Sequence, residues 1–185
     1  NRLMFPIFDY NNKVIGFGGR ALGQNYLAKY INSPETEFFK KGFNLYNLNN
    51  AKTEKKQSSI VFVVEGYMDA ISLYQAGFKN VVATLGTAMT ESHLNLVWRY
   101  FNDPVVCFDG DRSGQNAAQK ISEKLIAYMK PNYSLSFLIL PNGFDPDSFI
   151  RKNGRNNFEI LLDQKIDIGN FIFENNLQSL QSTQP

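Results

Sequence analysis

The sequence is poor in the residues that form covalent cross-links and structural metal sites. Among its 185 residues there are one cysteine, Cys107, and one histidine, His93. A single cysteine excludes an internal disulfide and favours a reducing compartment, and the two residues are too few for a zinc site within this chain. No apolar run approaches the roughly 20 residues that cross a bilayer, so we expect no membrane partner.

Apolar residues, by contrast, make up 43% of the chain, which is enough to build the core of one domain or of two small ones. The net charge of +2 hides an asymmetry. Residues 1–60 carry nine Lys or Arg against four Asp or Glu, whereas residues 61–150 carry six against nine. A basic part beside an acidic part suits a bound polyanion and bound cations, and ordinary solvated surface is the alternative.

Short apolar runs alternate with helix-like stretches through the middle of the chain. The runs are residues 60–64, 80–84, 104–108 and 134–140. Each is typical of a strand that is buried on both faces, and the stretches between them predict helices. This alternation predicts an α/β fold with a mainly parallel sheet and right-handed crossovers. Further helices are predicted over 146–153, 158–164 and 167–176.

Acidic residues follow three of these predicted strands. They are Glu65 after the first, Asp109 and Asp111 after the third, and Asp145 and Asp147 after the fourth. Asp69 comes one helical turn after Glu65 and can face the same way. Because ligands of parallel sheets bind beyond the carboxyl ends of the strands, we expect these side chains to gather there. Oxygen ligands without His or Cys favour Mg²⁺ or Mn²⁺ over zinc.

The region before the first buried strand has two further features. A predicted strand over residues 13–20 contains Gly16, Gly18 and Gly19, which indicates a bulge or a close approach of another group to the backbone. Residues 26–48 interleave lysines with aromatic residues, as a groove for single-stranded nucleic acid does. Aromatic core residues beside solvated lysines are the competing interpretation. Outside this region, His93 near a predicted helix start is expected to be solvated.

Several motifs resemble the Toprim domain of bacterial DnaG-type primases. They are VVEGYMD at 63–69, CFDGDRSG at 107–114 and DPD at 145–147. Topoisomerases and some nucleases share the Toprim glutamate and aspartate pair. The wider context is similar to primases in particular, at VIGFGGR (14–20), KYINSPET (29–36) and ATLGT (83–87).

The resemblance implies a fold and a division into parts. The fold is a Toprim domain, with a Rossmann-like, mainly parallel sheet flanked by helices, preceded by a mixed α+β part and followed by a helical segment. The parts are 1–58 as a partial basic subdomain of the primase core, 59–143 as the Toprim domain, 144–176 as the Asp-Pro-Asp loop with C-terminal helices, and 177–185 as a linker. The zinc-binding and helicase-binding domains of such primases are expected outside this chain.

The resemblance also implies a function, namely the synthesis of short RNA primers on single-stranded DNA from NTPs. Two or more Mg²⁺ or Mn²⁺ ions would take part, with Glu65, Asp109 and Asp111 as the catalytic residues and central ligands. Glu65 as a general acid or base is the alternative role for that residue. Asp69, Asp145 and Asp147 complete the expected metal ligands.

Nucleotide or nucleic-acid contacts are implied for Arg20, Lys29, Tyr30 and Lys41. The expected partners are the DNA template, NTPs, the RNA primer and, through a region absent here, the replicative helicase, in the bacterial cytoplasm at the replication fork. Two other interpretations stay open, a Toprim nuclease or topoisomerase-like enzyme, and a catalytically silent fragment that binds nucleotides or single-stranded DNA.

Overall fold

A three-stranded antiparallel sheet forms the first part of the chain in the computed structural model, which describes residues 1–23, 27–56 and 60–182. Strands β1 (Arg2–Phe8), β2 (Val14–Ala21) and β3 (Tyr30–Asn32) lie in that order. A long loop then leads to the short helix α1 (Leu48–Ala51) and a 3₁₀ turn over Lys52–Lys56.

A second sheet of five strands forms the rest of the fold. Its strands are β4 (Ile60–Val64), β5 (Val81–Ala83), β6 (Asp103–Phe108), β7 (Ser136–Ile139) and β8 (Ile166–Asp167). The order is β5-β4-β6-β7-β8, and only the last pairing is antiparallel. The predicted α/β fold with a mainly parallel sheet is confirmed, and β8 adds an edge strand that the sequence pattern did not indicate.

Helices cover both faces of this sheet. They are α2 (Tyr67–Gln75), α3 (Glu91–Trp98), α4 (Arg112–Leu125), α5 (Pro146–Leu162) and α6 (Ile168–Ser182). Along β4, Val61 and Val63 face the core shared with α3, α4 and α6, while Phe62 and Val64 face α2 and α5. No helix in the described part of the chain is long and apolar enough to span a lipid bilayer.

The C-terminal prediction is confirmed in one part and wrong in another. A break at Gly154, which adopts a φ of +77°, divides α5 into two helical segments, in agreement with the helices predicted over 146–153 and 158–164. The predicted linker over 177–185 is wrong up to Ser182, where α6 ends. Glutamine and serine do not stop a helix as glycine or proline does, so a Gln/Ser-rich composition alone does not end it. Residues 183–185 and the predicted boundary between residues 58 and 59 lie outside the described residues.

The two sheets meet around the ring of Tyr67. This ring stacks on Phe5 of β1 with a centroid distance of 5.2 Å and lies against the backbone of Gly18 in β2. Any side chain at Gly18 would bring a Cβ atom closer than 3.0 Å to the ring. Of the two predicted explanations for the glycines of this strand, the close approach is therefore confirmed at Gly18. Phe39 and Leu85 also belong to the small core at the joint.

Candidate metal and nucleotide site

The acidic loops lie at the point where the sheet changes its direction of winding. Helix α2 follows β4 and packs on one face, whereas α4 follows β6 and packs on the other. The carboxyl ends of β4 and β6 are therefore separated by a crevice, as is usual at the ligand sites of open parallel sheets. Glu65 directly follows β4, and Asp109 directly follows β6.

The loop after β7 lies against the loop after β6. The N–H of Gly110 donates to the carbonyl of Phe144 over 2.9 Å, which ties the two loops together. A cavity of about 210 Å³ opens between them, and Asp109, Asp111 and Asp145 line it together with Gly143 and Phe144. A second, mostly apolar cavity of about 330 Å³ has Glu65 in its wall. The structure thus places carboxylates from three loops around one region.

Burial, reinforced by nearby negative charge, raises the pKa values of Asp69 and Asp109. Burial is the main cause that raises the pKa of Asp109 to about 6, and the charges of Glu65 and Asp145 add to it. Burial also raises the pKa of Asp69 to about 7, opposed by the N–H of Asp147 and reinforced by the charge of Asp145. The acidic side chains of the three loops are therefore close enough to oppose one another's ionisation.

Glu65 belongs to the same electrostatic group. Partial burial raises the pKa of its carboxyl group, and the charge of Asp111 raises it further. Six carboxyl groups thus share one region, with Asp147 linked to Asp69 through its N–H at 3.2 Å from Oδ1.

Most of these carboxylates also organise the local backbone. Asp111 caps α4 by accepting from the N–H of Gly114 at 2.8 Å, and Asp145 caps α5 by accepting from the N–H of Ser148 at 2.6 Å. Such caps satisfy helix N–H groups that have no partner within the helix. Three further bonds hold the others in place: Asp69 accepts from the N–H of Gly66, and Asp147 accepts from Arg151 and from Ser72.

The chemistry of this donor set fits a hard divalent cation. Carboxylate oxygens are the ligands that Mg²⁺ and Mn²⁺ prefer, and a cation would stabilise the ionised forms of Asp69 and Asp109, whose pKa values are raised by burial and by nearby negative charge. Within residues 1–23, 27–56 and 60–182, however, no three acidic, histidine or cysteine side chains surround a common point at metal distance. Coordination therefore requires carboxylates to turn from the helix caps or to use their second oxygen.

Three of the predicted nucleic-acid residues lie together beside this acidic group. Arg20 of β2 pairs with Tyr30 of β3, and its guanidinium carbon lies 6.0 Å from the centroid of the Tyr30 ring. The Lys29 Nζ lies 5.7 Å from the same ring. Burial is the main cause that raises the pKa of Tyr30, and the charge of Arg20 opposes it. The negative charges of Asp69, Asp147 and Asp145 raise this pKa further. The basic edge of the first sheet therefore faces the acidic loops.

Asn32 connects that edge to two loops at the carboxyl ends of the strands. Its Oδ1 accepts a hydrogen bond from the Tyr67 hydroxyl, two residues beyond Glu65. Its Nδ2 donates to the carbonyl of Leu85, which follows β5, over 2.8 Å. Tyr30 lies two residues before Asn32 on the same short strand. Strand β3 is therefore fixed relative to the loops after both β4 and β5.

Lys41 lies on another part of the surface, in the loop between β3 and α1. Its carbonyl meets Nε2 of His93 at 2.8 Å, and the N–H of Thr90 donates to His93 Nδ1 at 3.3 Å. Nε2 therefore carries the hydrogen and donates to Lys41. The prediction of a solvated His93 is wrong, because the side chain is fully buried between α3 and this loop.

The stability contributed by His93 should be lost on acidification. Burial is the main cause that lowers its pKa, against the backbone hydrogen bonds of Lys41 and Asn44. Between this depressed pKa and the ordinary value of about 6.5, the unfolded chain binds more protons than the folded one, so stability falls as the pH falls. We expect urea unfolding at pH 7.5 to show His93→Gln destabilised by about 1–3 kcal/mol.

The difference between wild type and His93→Gln should narrow at pH 5.5. The raised pKa values of Asp69 and Asp109 change stability in the opposite direction over this range. Both proteins carry those groups, so the comparison isolates the histidine. A difference that stays constant or widens on acidification would show that His93 is not held neutral by the fold.

The sequence patterns did not predict the structural contacts of Asn32, Tyr67 and His93. Each acts through a partner far away in sequence, such as Asn32 with Leu85 or His93 with Lys41. Asn32 and Tyr67 do lie inside the motifs at 29–36 and 63–69 that resemble primases. That placement was the available signal, and it does not reveal what either side chain contacts.

Comparisons with known proteins agree with this arrangement. Residues 62–150 match the family described as Toprim-like, and residues 1–52 match the family described as DNA primase catalytic core, N-terminal domain. The chain is 42% identical over 184 residues to the DNA primase of Escherichia coli strain K12, and 42% identical over 185 residues to that of Legionella pneumophila. It spans 32% of the length of each of these curated relatives.

Solved structures give the same result. A DNA primase domain from Pseudomonas aeruginosa aligns with a TM-score of 0.90 and 40% identity, over 96% of this chain and 56% of that one. A DnaG primase catalytic domain bound to ssDNA aligns with a TM-score of 0.87 and 44% identity, over 94% of this chain and 56% of that one. With its sequence and its fold both matched, the chain belongs to the DnaG-type DNA primases and forms the Toprim-containing part of their catalytic core.

Proposed function

We propose that this chain contributes the catalytic carboxylates of an enzyme that makes short RNA primers on single-stranded DNA. In this nucleotidyl transfer, the 3′-hydroxyl oxygen bonds to the α-phosphorus of an NTP, the bond to the β-phosphate oxygen breaks, and pyrophosphate and a proton leave. The supporting observation is the gathering of six carboxyl groups from three loops at the crevice between β4 and β6. Such a group suits a substrate that arrives with divalent cations.

In this proposal, two sets of carboxylates bind different metal ions. Glu65, Asp109 and Asp111 lie at the ends of β4 and β6 and would hold the ion nearest the reacting atoms. Asp69, Asp145 and Asp147 would hold further ions that accompany the triphosphate. Bound Mg²⁺ or Mn²⁺ would supply the positive charge that acidifies the attacking hydroxyl and screens the phosphates.

The basic edge of the first sheet would bind the anionic substrates. Arg20 and Lys29 flank the Tyr30 ring beside the acidic loops, so they can pair with phosphate groups of the NTP or the template. Lys41 lies in the loop between β3 and α1 and would contact template phosphates. The relative bound to ssDNA supports a single-stranded template as the partner.

The remaining partners follow from the same activity. The enzyme would hold NTPs and the growing RNA primer, and it would meet the replicative helicase through a region outside this chain. We place it in the bacterial cytoplasm at the replication fork, where its bacterial relatives, named DNA primases, would act.

A primer-synthesis assay tests this function and separates it from the alternatives. The chain is tested alone and within a primase of full length, with a single-stranded template, labelled NTPs and Mg²⁺. We expect labelled RNA that depends on both the template and the metal. If the protein instead cleaves labelled DNA when Mg²⁺ is present and NTPs are absent, it is a Toprim nuclease. If the full-length protein binds DNA but makes no RNA, the chain is a silent binding fragment.

A further inference from the structure

The loop between β3 and α1 exposes two large aromatic side chains. Phe38 is 70% exposed and Phe43 is 60% exposed, whereas Phe39 between them is fully buried. The pattern is mixed, since the Phe39 ring belongs to the core and the Phe38 and Phe43 rings do not. Exposed rings of this size forgo the free energy that burial would give them, so a contact that covers them is favourable.

The backbone that carries these rings is held firmly. Thr36 Oγ1 accepts hydrogen bonds from the N–H groups of Phe38 at 3.2 Å and Phe39 at 3.0 Å. On the other side, the carbonyl of Gly42 accepts from Thr90 Oγ1 at 2.7 Å, next to the bond between Lys41 and His93. A ring presented on a fixed backbone loses little conformational entropy on binding, so the surface is preorganised for its partner.

The basic groups beside the Phe43 ring favour an anionic strand over an apolar protein surface as the partner. Lys40 Nζ lies 6.0 Å from the centroid of the Phe43 ring, and Lys41 follows it. The carboxylate of Glu35 is engaged by the Lys41 N–H at 2.8 Å. Residues 1–60 as a whole carry nine basic residues against four acidic ones. An aromatic face beside an ammonium group is the arrangement that stacks on a base while neutralising its phosphate.

We infer that Phe38 and Phe43 form a stacking surface for the bases of the single-stranded template, with Lys40 on the adjoining phosphates. This inference rests on the proposed function and names the part of the chain that holds unpaired template bases. Because every base has a flat face, the surface accepts all four bases. The rings act through stacking, and only the lysine acts through charge.

The test is DNA affinity as a function of salt, measured by fluorescence anisotropy of a labelled oligo-dT with a primase of full length that carries this chain. We expect Phe38→Ala and Phe43→Ala each to raise Kd about fivefold, with an unchanged dependence of log Kd on log[salt]. Lys40→Ala should instead reduce that slope by about 0.7, because one phosphate contact is lost. Phe43→Leu should raise Kd as much as Phe43→Ala does, because leucine has no aromatic face. Phe43→Trp should keep the Kd of the wild type.

Phe173→Ala is the matched control, since Phe173 is 62% exposed on α6 and should not change Kd. The inference would be overturned if the Phe38 and Phe43 variants bound DNA as tightly as the wild type does. It would also be overturned if these variants lost unfolding free energy instead of DNA affinity, because another protein segment would then cover the rings. Primer synthesis by the wild type and by Phe173→Ala separates this failure from that of the proposed function, because it tests the catalytic activity without any change at Phe38 or Phe43.

Discussion

Replacing Asp109 by asparagine should reduce primer synthesis at least about 100-fold while leaving the protein folded. The amide has the size of the carboxylate but neither its charge nor its affinity for a hard cation, and loss of one such electrostatic group typically costs this much in rate. Asp109 is the best probe of the group, because Asp111 and Asp145 also cap helices and their replacement would cost stability as well.

Stability should move in the opposite direction to activity in this variant. The charge of Asp109 is one of the causes that raise the pKa of Asp69, so its removal relieves repulsion in the metal-free protein. We expect an unfolding free energy equal to or higher than that of wild type at pH 7.5, and weaker Mn²⁺ binding by calorimetry. An active Asp109→Asn protein would remove this residue from the catalytic group.

The same substitution at the other end of the strand provides the control. Asp103 begins β6 and pairs with Lys165 over 2.8 Å, far along the strand from Asp109. Asp103→Asn should keep its primer synthesis and lose at most about 1 kcal/mol of stability, as is usual for a partly exposed ion pair. Equal loss of activity in both variants would point to a general effect of charge rather than to a site.

Gly110→Ala should be among the most damaging substitutions in the chain. A Cβ atom at this position would lie closer than 3.0 Å to the carbonyl oxygens of Leu140 and Pro141, and backbone cannot rotate away as a side chain can. The loops after β6 and β7 would have to separate, which would break the bond between Gly110 and Phe144. We expect a loss of about 2–4 kcal/mol in unfolding free energy, measured by urea denaturation, and loss of primer synthesis.

Gly42→Ala is the corresponding control, because the nearest atom to its added Cβ would be a Thr90 methyl carbon at 3.8 Å. That substitution should change the unfolding free energy by less than about 0.5 kcal/mol. If Gly110→Ala were as mild as Gly42→Ala, the two acidic loops would be able to move apart freely, and the close packing at the cavity would have no bearing on stability.

The sheet and the position of the acidic loops could be predicted because both follow from local patterns. Continuous β-branched runs such as 60–64 indicate strands buried on both faces, and the carboxyl ends of parallel strands lie at one edge. The antiparallel strand β8 could not be predicted, since two residues carry no period. The end of α6 was misplaced because composition alone does not say where a Gln/Ser-rich helix stops.

The arrangement within the site was less accessible from the sequence. Residue type predicted that Asp111 and Asp145 could bind cations, but each is also three residues before an N–H group that it caps. That competition between metal and backbone depends on side-chain rotation, which spacing does not reveal. The burial of His93 depends on the Lys41 loop, 52 positions away in sequence, so its immediate neighbours gave no indication of it.

The two hydrogen bonds of Asn32 have a mechanical consequence for strand β3. One amide group both accepts from Tyr67 and donates to Leu85, so an aspartate would lose the second bond and a leucine would lose both. Strand β3, which carries Tyr30, is therefore coupled through one side chain to the segments beyond both β4 and β5. A displacement of β3 would shift these two segments together, including the start of α2 next to Glu65.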